Sequence, residues 1–211
     1  MKTDALIRLT NGAARLGLSL SEDHAGQMFE YLNLLGEWSR TFNLTSVTDP
    51  DEQITHHLLD SLSIRCYLAG DQIVDAGTGA GLPGVPLAIV DPARQFTLVD
   101  ARAKKTRFLR QVTRTLGLEN VEIVTGRLED YRPHTRFDTV VARALAPLPR
   151  LVELTGDLLA PDGILLAMKG RDPVKETHEL GEPWGVRDTH RLEVPGLRAE
   201  RHVVVIVKKL T

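Results

Sequence analysis

The sequence predicts an α/β protein with a mostly parallel, doubly wound sheet behind an N-terminal helical cap. Three observations carry that reading. From Gln72 onward, short aliphatic and β-branched runs alternate with amphipathic stretches, the pattern of strands joined by crossover helices. The run Ile73-Val74-Asp75-Ala76 passes straight into a turn holding Gly77, Gly79, Gly81 and Gly84. Before residue 70 the apolar residues recur only at helical spacing. The boundaries expected are residues 1–70 for the cap and 71–211 for the α/β domain.

In chain order, Leu6, Leu9, Ala13 and Leu16 form a first helical stripe that Gly17 closes. Ser19 and Glu22 read as a capping box for a second helix, whose apolar stripe is Ala25, Met28, Phe29, Leu32 and Leu35, continued by Trp38. After the polar break at Asn43, Asp49 at the cap, Pro50 at the first helical position and Glu52 open a third helix. Its buried face is Ile54, Leu58 and Leu62, with His57 and Asp60 beside that face. The first strand, Ile73 to Ala76, and the second, Gln95 to Asp100, flank the glycine turn and a short helix. A helix through Leu116, closed by Gly117, turns Phe108, Leu109, Val112 and Leu116 inward. The third strand spans Val121 to Val124 and the fourth Phe137 to Arg143. A helix from Leu151 to Leu159 follows, then a turn at Pro161-Asp162-Gly163 into a fifth strand, Ile164 to Met168. Residues 171–187 carry no clear pattern. Arg191 to Val194 and His202 to Val207 read as two strands flanking Pro195-Gly196.

Composition excludes several classes. The 211 residues are enough for one full α/β core and a modest appendage. No run approaches the ~18 apolar residues of a membrane span, and the start Met1-Lys2-Thr3-Asp4 does not lead into a signal sequence. The single cysteine, Cys66, fits a reducing compartment and allows no intrachain disulfide. A cytoplasmic monomer without membrane or metal partners is expected. A net charge of −2 argues against broad affinity for polyanions while leaving room for a local basic patch.

The chemistry concentrates at the glycine turn. Its glycines let backbone N–H groups approach a ligand, Asp75 ends the first strand, and Asp100 ends the second. Asp100 follows Gly77 at roughly the 20-residue separation at which a carboxylate reaches a ribose hydroxyl pair. Gly79-x-Gly81-x-x-Gly84 also fits a dinucleotide fingerprint, but an acid two residues before Gly77 gives the D-x-G-x-G-x-G form that resembles S-adenosylmethionine-dependent methyltransferases. The sequence holds no G-x-S-x-G elbow, phosphate loop, C-x-x-C or H-E-x-x-H spacing. Adjacent His56 and His57 diverge on a helix and cannot act as a metal pair. The helix after Asp100 carries Arg102, Lys104, Lys105, Arg107, Arg110 and Arg114 with no acidic partners on its face, a surface suited to phosphate contacts.

Beyond the turn, the stretches Asn43-Leu44-Thr45-Ser46, His57-Leu58-Leu59-Asp60-Ser61, Arg107-Phe108-Leu109, Arg143-Ala144, Met168-Lys169-Gly170 and Glu200-Arg201-His202 occur in one collinear order. Together with the glycine turn they resemble the small-subunit ribosomal RNA guanine-N7 methyltransferases, the RsmG or glucose-inhibited division protein B (GidB) family, from about residue 20 to the C-terminus. That resemblance implies a Rossmann-like methyltransferase fold whose mostly parallel sheet ends in an antiparallel hairpin. It implies S-adenosylmethionine as cofactor and 16S ribosomal RNA, within a small-subunit particle, as partner. Carried over by position, Gly77, Gly79, Gly81, Leu82, Leu128, Glu129 and Arg143 would contact the cofactor, Asp75 its methionine end and Asp100 its ribose. Asn43, His57, Arg127, Lys169 and Arg201 would bind RNA or organise the site, alongside Lys104, Lys105 and Arg107. Arg143, His57 and Lys169 are the positioning candidates; no residue is expected as a general base. Ala80 stands where relatives often carry proline, a change that leaves backbone approach intact. Three other readings stay open: a small-molecule or protein methyltransferase, a dinucleotide oxidoreductase, and a non-catalytic RNA-binding assembly factor.

Overall fold

The computed structural model describes residues 2–171 and 173–209. Among these, seven strands, β1 (Gln72–Ala76), β2 (Gln95–Asp100), β3 (Val121–Thr125), β4 (Phe137–Arg143), β5 (Leu159–Lys169), β6 (Trp184–Arg191) and β7 (His202–Lys208), form one sheet. Their order is β3-β2-β1-β4-β5-β7-β6. The first five run parallel. β7 is antiparallel to both neighbours, so the sheet closes on the expected C-terminal hairpin. The order reverses between β1 and β4, and ligands of open α/β sheets bind in the crevice such a switch creates.

Alternation along each strand sorts the core into two layers. Ile73, Phe96, Leu98, Val141 and Leu166 face one apolar cluster, while Val74, Ala76, Val99, Val140 and Leu165 face the other. The first layer is covered by α1 (Lys2–Arg15), α2 (Glu22–Phe42), a third helical run, α5 (Gly84–Val90) and α6 (Ala103–Leu116). That third run comprises α3 (Pro50–Gln53), a π-helical stretch Ile54–Leu59 and α4 (Asp60–Leu62). Trp38 and Tyr31 of α2 pack on Phe108 of α6 at ring-centroid distances of 5.6 and 6.4 Å. α7 (Leu148–Thr155) covers the second layer, and α8 (Val174–His178) lies against α7. Among the described residues no helix is long and apolar enough to cross a membrane.

Five local expectations are corrected. The cap of α2 is Ser21, whose hydroxyl accepts from the His24 N–H at 3.1 Å, rather than Ser19. Both serines suit a cap, and the one directly before Glu22 and Asp23 is used because those acids then fall in the first turn. The helix expected at Leu151 to Leu159 begins at Leu148 and ends at Thr155, in a 3₁₀ turn over Gly156–Leu158. Pro161-Asp162-Gly163 is not a turn between elements but part of β5, where the register jumps between the Phe137–Leu159 and Thr139–Ile164 pairs. The extra residues bulge out of the ladder, which accommodates the proline. The strand expected at Arg191 to Val194 lies instead over Trp184–Arg191. Leu192, whose N–H still reaches the Arg201 carbonyl at 2.8 Å, and Val194 lie past the end of β6 and are apolar because they are buried in the first layer. β6 is the sheet edge, and its Arg187, Asp188 and His190 suit an edge that should not recruit other strands. Finally, the third helix does not keep a 3.6-residue period. Its i→i+5 stretch leaves every residue from His57 to Ile64 buried, so His57 and Asp60 lie inside rather than beside the apolar face.

Candidate functional site

The glycine turn is held by its own polar atoms. Asp75 is 1% exposed; its Oδ2 accepts from Thr78 Oγ1 at 2.7 Å and from the Gly84 N–H at 2.8 Å. One carboxylate oxygen therefore fastens the start of the turn to the start of α5. The Gly79 N–H donates to Asp100 Oδ2 at 3.0 Å, and the Arg102 N–H to Asp100 Oδ1 at 2.8 Å. Lys105 Nζ stands 3.7 Å from Asp100 Oδ2. Between these anchors Gly77 and Gly81 have φ of +69° and +95°, conformations that side-chain-bearing residues avoid. From the helical cap, the Tyr31 hydroxyl donates to the Ala80 carbonyl at 2.9 Å.

Two clefts open at the C-terminal ends of the strands and meet at Ala144. The first, of about 480 Å³, is walled by Gly77, Asp100, Lys105, Arg127, Leu128 and Glu129. The second, of about 500 Å³, is walled by Thr45, His56, His57, Asp60, Arg143, Lys169 and Arg201. Both volumes fall in the range of small-ligand sites. Ala144 lines both and has φ +53°, a left-handed backbone that costs an alanine about 1–2 kcal/mol. Strain of this kind collects at functional sites.

The second cleft is organised by one buried carboxylate. Arg143 Nη1 donates to Asp60 Oδ2 at 3.0 Å and to the His56 carbonyl at 3.1 Å. Arg201 Nε donates to Asp60 Oδ1 at 2.9 Å. Lys169 Nζ donates to the Ala146 carbonyl at 2.9 Å and pairs with Glu176 at 2.7 Å. His57 Nε2 lies 2.9 Å from the Thr45 hydroxyl, while its Nδ1 is buried without a partner among the described residues.

Of the residues picked from sequence for a cofactor, Gly77, Asp100, Leu128 and Glu129 come together in the first cleft, and Arg127 joins them there. Arg143 stands in the second cleft, beside His57, Lys169 and Arg201. Asp75, Gly79, Gly81 and Leu82 line neither cleft; they shape the turn from behind. Asn43 is exposed and closes α2 in the left-handed conformation, φ +50°, with its N–H on the Ser39 carbonyl. Lys104 and Arg107 project from the exposed face of α6, while Arg110 folds back onto Thr125 at 3.0 Å. Sequence reasoning gave no role to Asp60, Tyr31, Thr78 or Glu176. Nothing in the sequence pairs Glu176 with Lys169. Among the described residues no group of His, Cys, Asp and Glu side chains is arranged to hold a metal ion.

Burial moves two ionisations in opposite directions. Desolvation, aided by the nearby Arg143 charge, pushes the His57 pKa down from 6.5 to about 4. Desolvation pushes Asp75 up from 3.8 to about 6, against the hydrogen bonds from Thr78 and Gly84. Between about pH 4 and 6.5 the unfolded chain holds a proton at residue 57 that the folded chain lacks. The His57 contribution to stability is therefore complete above 6.5 and lost as pH falls toward 4. Asp75 acts oppositely, since between 3.8 and about 6 the folded state holds its proton and stability falls as pH rises. Replacing His57 with glutamine removes only the acid-side loss. Thermal melts at pH 7 and pH 5 should show the variant gaining on the parent by roughly 4–8 °C at the lower pH; a constant offset between the two would contradict a neutral buried imidazole.

Comparison with known proteins gives one family. A family model described as rRNA small subunit methyltransferase G (GidB) matches residues 24–204. The ribosomal RNA small subunit methyltransferase G of Marinobacter nauticus is 45% identical over 201 residues, covering 95% of this chain and 94% of that protein. The protein of the same name from Coxiella burnetii is 45% identical over 199 residues, covering 94% and 96% respectively. Among solved structures, the glycopeptide N-methyltransferase MtfA complexed with S-adenosyl-L-homocysteine superposes with a TM-score of 0.63 at 12% identity, over 72% of this chain and 87% of that one. The tRNA methyltransferase TrmK of B. subtilis gives 0.56 at 14% identity, over 71% and 65%. These two share the fold.

Proposed function

Because the chain belongs to the rRNA small subunit methyltransferase G (GidB) family, we propose that it transfers the methyl group of S-adenosylmethionine to N7 of a guanine in 16S ribosomal RNA. The observation that carries this reading is the pair of clefts joined at Ala144. One is walled by Gly77 at the start of the glycine turn and an acid at the tip of β2, the other by three cationic side chains. Residues 1–70 act as a cap that supplies Thr45, His56, His57 and Asp60 to the second cleft, and residues 71–211 as the methyltransferase domain.

The first cleft fits the cofactor. A Cβ at Gly77 would stand 2.6 Å from Leu145 Cδ1, so the turn is closed down to backbone where a ligand must approach. Asp100 keeps acceptor capacity beyond its two backbone partners, since a carboxylate offers about four lone-pair sites; the ribose hydroxyls would take it. Leu128 and Leu145 offer apolar contact to a base. Asp75 lines neither cleft and would act on the methionine end through the turn it fastens by its bonds to Thr78 and Gly84. S-adenosylmethionine, when bound, supplies an electrophilic sulfonium methyl.

The remaining work is positioning. Guanine N7 carries a free lone pair, so no residue has to remove a proton, and a His57 held neutral fits that requirement. Holding two reactants in near-attack geometry is worth up to roughly 7–11 kcal/mol. In A-form RNA N7 lies in a deep, narrow groove, so the target base must be presented unpaired or at a distorted helix. Lys104, Arg107 and Arg114 are exposed and without partners among the described residues. They would fix the RNA through its phosphates, with the chain acting as a cytoplasmic monomer on a small-subunit particle.

The test is incubation with tritiated S-adenosylmethionine and small subunits lacking the modification, followed by mapping of the label. Label on a single guanine N7 is expected; label elsewhere, or only on protein or a small molecule, would overturn the assignment. In the same assay, joint replacement of Arg107 and Arg114 by glutamate should lower kcat/KM for subunits at least tenfold and flatten its dependence on log salt by about one unit per phosphate contact. Cofactor affinity should not move. A small-molecule methyltransferase would keep its turnover.

A further inference from the structure

Asp60 joins three parts of the chain that are remote in sequence. It sits on α4, 1% exposed, and its two oxygens each take one guanidinium, Arg143 at the end of β4 and Arg201 just before β7. The arginine side chains remain 23% and 21% exposed, and both line the second cleft. Arg143 spends Nη1 on Asp60 and on the His56 carbonyl, which leaves Nε and Nη2 without a partner among the described residues. Arg201 spends Nε on Asp60 and Nη1 on the Glu200 carbonyl, leaving Nη2. Two planar donors are thus held by one anion with unused N–H groups at a single opening.

Resting on the function proposed above, we propose that Asp60 is a positioning residue that holds Arg143 and Arg201 as a donor pair for O6 of the target guanine. The Hoogsteen edge of guanine presents two acceptors, N7 and O6, and arginine is the side chain that most often reads it. When N7 must be free to attack, O6 is the acceptor left for recognition. Adenine places an N–H₂ donor at the same place, so a pair of fixed donors rejects it. The carboxylate also has an electrostatic task. Methyl transfer forms the N7–CH₃ bond, breaks the S–CH₃ bond, and leaves the base cationic and the sulfur neutral. Two unscreened guanidinium groups beside a base gaining positive charge would oppose the step, and Asp60 reduces that pair to one net charge.

This predicts a split in the kinetics. With Asp60→Asn, kcat on unmethylated small subunits should fall about 100-fold, the loss a misplacement near 1 Å produces. The dissociation constant for S-adenosylmethionine should stay within twofold, because the first cleft does not include Asp60. Asp60→Glu keeps the charge, moves it by one methylene and should lose kcat to a similar degree. In a background with Arg143 and Arg201 both replaced by alanine, Asp60→Asn should cost no further activity, the non-additivity expected of groups acting through one another. A second readout needs no RNA. With ¹⁵N-arginine, hydrogen exchange at Arg201 Nε, assigned with an Arg201→Lys sample, should accelerate at least tenfold in Asp60→Asn. Unchanged exchange, a kcat within threefold of the parent, or a full additive loss in the double-alanine background would each overturn the proposal. A parent protein that labels no guanine would overturn the proposed function instead, while the exchange measurement would still decide whether Asp60 holds the arginine.

Discussion

Replacing Asp100 with alanine is expected to weaken S-adenosylmethionine binding by 100-fold or more while the protein still folds. Asp100 is 8% exposed at the tip of β2. Its oxygens fix the Gly79 and Arg102 N–H groups, and its charge neutralises Lys105 across 3.7 Å. Two losses add. A hydrogen bond from a ligand hydroxyl to a charged acceptor is worth roughly 1.5–3 kcal/mol, and two such bonds to a ribose come to about 3–6 kcal/mol before any cost of loosening the turn. Since every 1.4 kcal/mol is a factor of ten, 100-fold is the lower end. Asparagine at this position keeps one acceptor and the shape but drops the charge, so it should lie between parent and alanine. Titration calorimetry with S-adenosylmethionine or S-adenosylhomocysteine measures both. An alanine variant binding within threefold of the parent would mean that Asp100 merely ties the turn and that the cofactor's ribose lies elsewhere.

Asp100 also shows what could be read from the residues alone. A strand ending in an acid at a set distance from a glycine turn is a local pattern, and β1, β2, β3 and β4 lie where hydrophobic alternation placed them, to within a residue. The glycine turn, the basic face of α6 and, in the first cleft, Gly77 and Asp100 were legible for the same reason, whereas Arg127, Leu128 and Glu129 were named only through the family resemblance. Patterns with more than one solution were not. Leu192 and Val194 alternate like a strand, yet their apolar character serves packing against the cap. Pro161-Asp162-Gly163 has turn chemistry but is absorbed as a bulge within β5. The third helix is the instructive failure, because a 3.6-residue wheel cannot represent an i→i+5 stretch. Asp60 therefore could not be seen as buried, still less as the shared partner of Arg143 and Arg201, which are separated from it by most of the domain. Tyr31 was hidden in the same way, as one more position in the region of an apolar stripe, although a buried hydroxyl requires an acceptor and finds it in the glycine turn. Long-range polar pairing is a property of the folded topology and leaves no periodic trace.

The largest loss of stability from a single methyl group is expected at Gly84. This residue opens α5 directly beneath the turn, and it is not strained in backbone conformation; its constraint is space. A Cβ there would stand 2.2 Å from Leu98 Cδ2, 2.8 Å from Asp75 Oδ2 and 3.2 Å from Asp75 Cβ. Leu98 is fully buried on β2 and Asp75 is 1% exposed on β1, so neither can swing into solvent. Relief must come by moving α5 away from the strands, which breaks the Gly84 N–H bond to Asp75 Oδ2 and leaves a buried carboxyl oxygen short of a donor. Overpacking costs about 1–3 kcal/mol and the lost bond to a buried acceptor about 1–3 more. Gly84→Ala should thus lower the melting temperature by roughly 4–24 °C at 2–4 °C per kcal/mol and weaken cofactor binding in whatever fraction stays folded. Gly26 and Gly36 in α2 give the matching control. No atom lies within 4 Å of a Cβ at either position, and alanine within a helix is favoured over glycine by about 0.5–1 kcal/mol, so both substitutions should raise the melting temperature slightly. If Gly84→Ala melts with the Gly26 variant rather than far below it, the contact between α5 and the first two strands is looser than these distances imply. The turn would then owe its shape to Asp100 and Thr78 instead of to the close approach at Gly84.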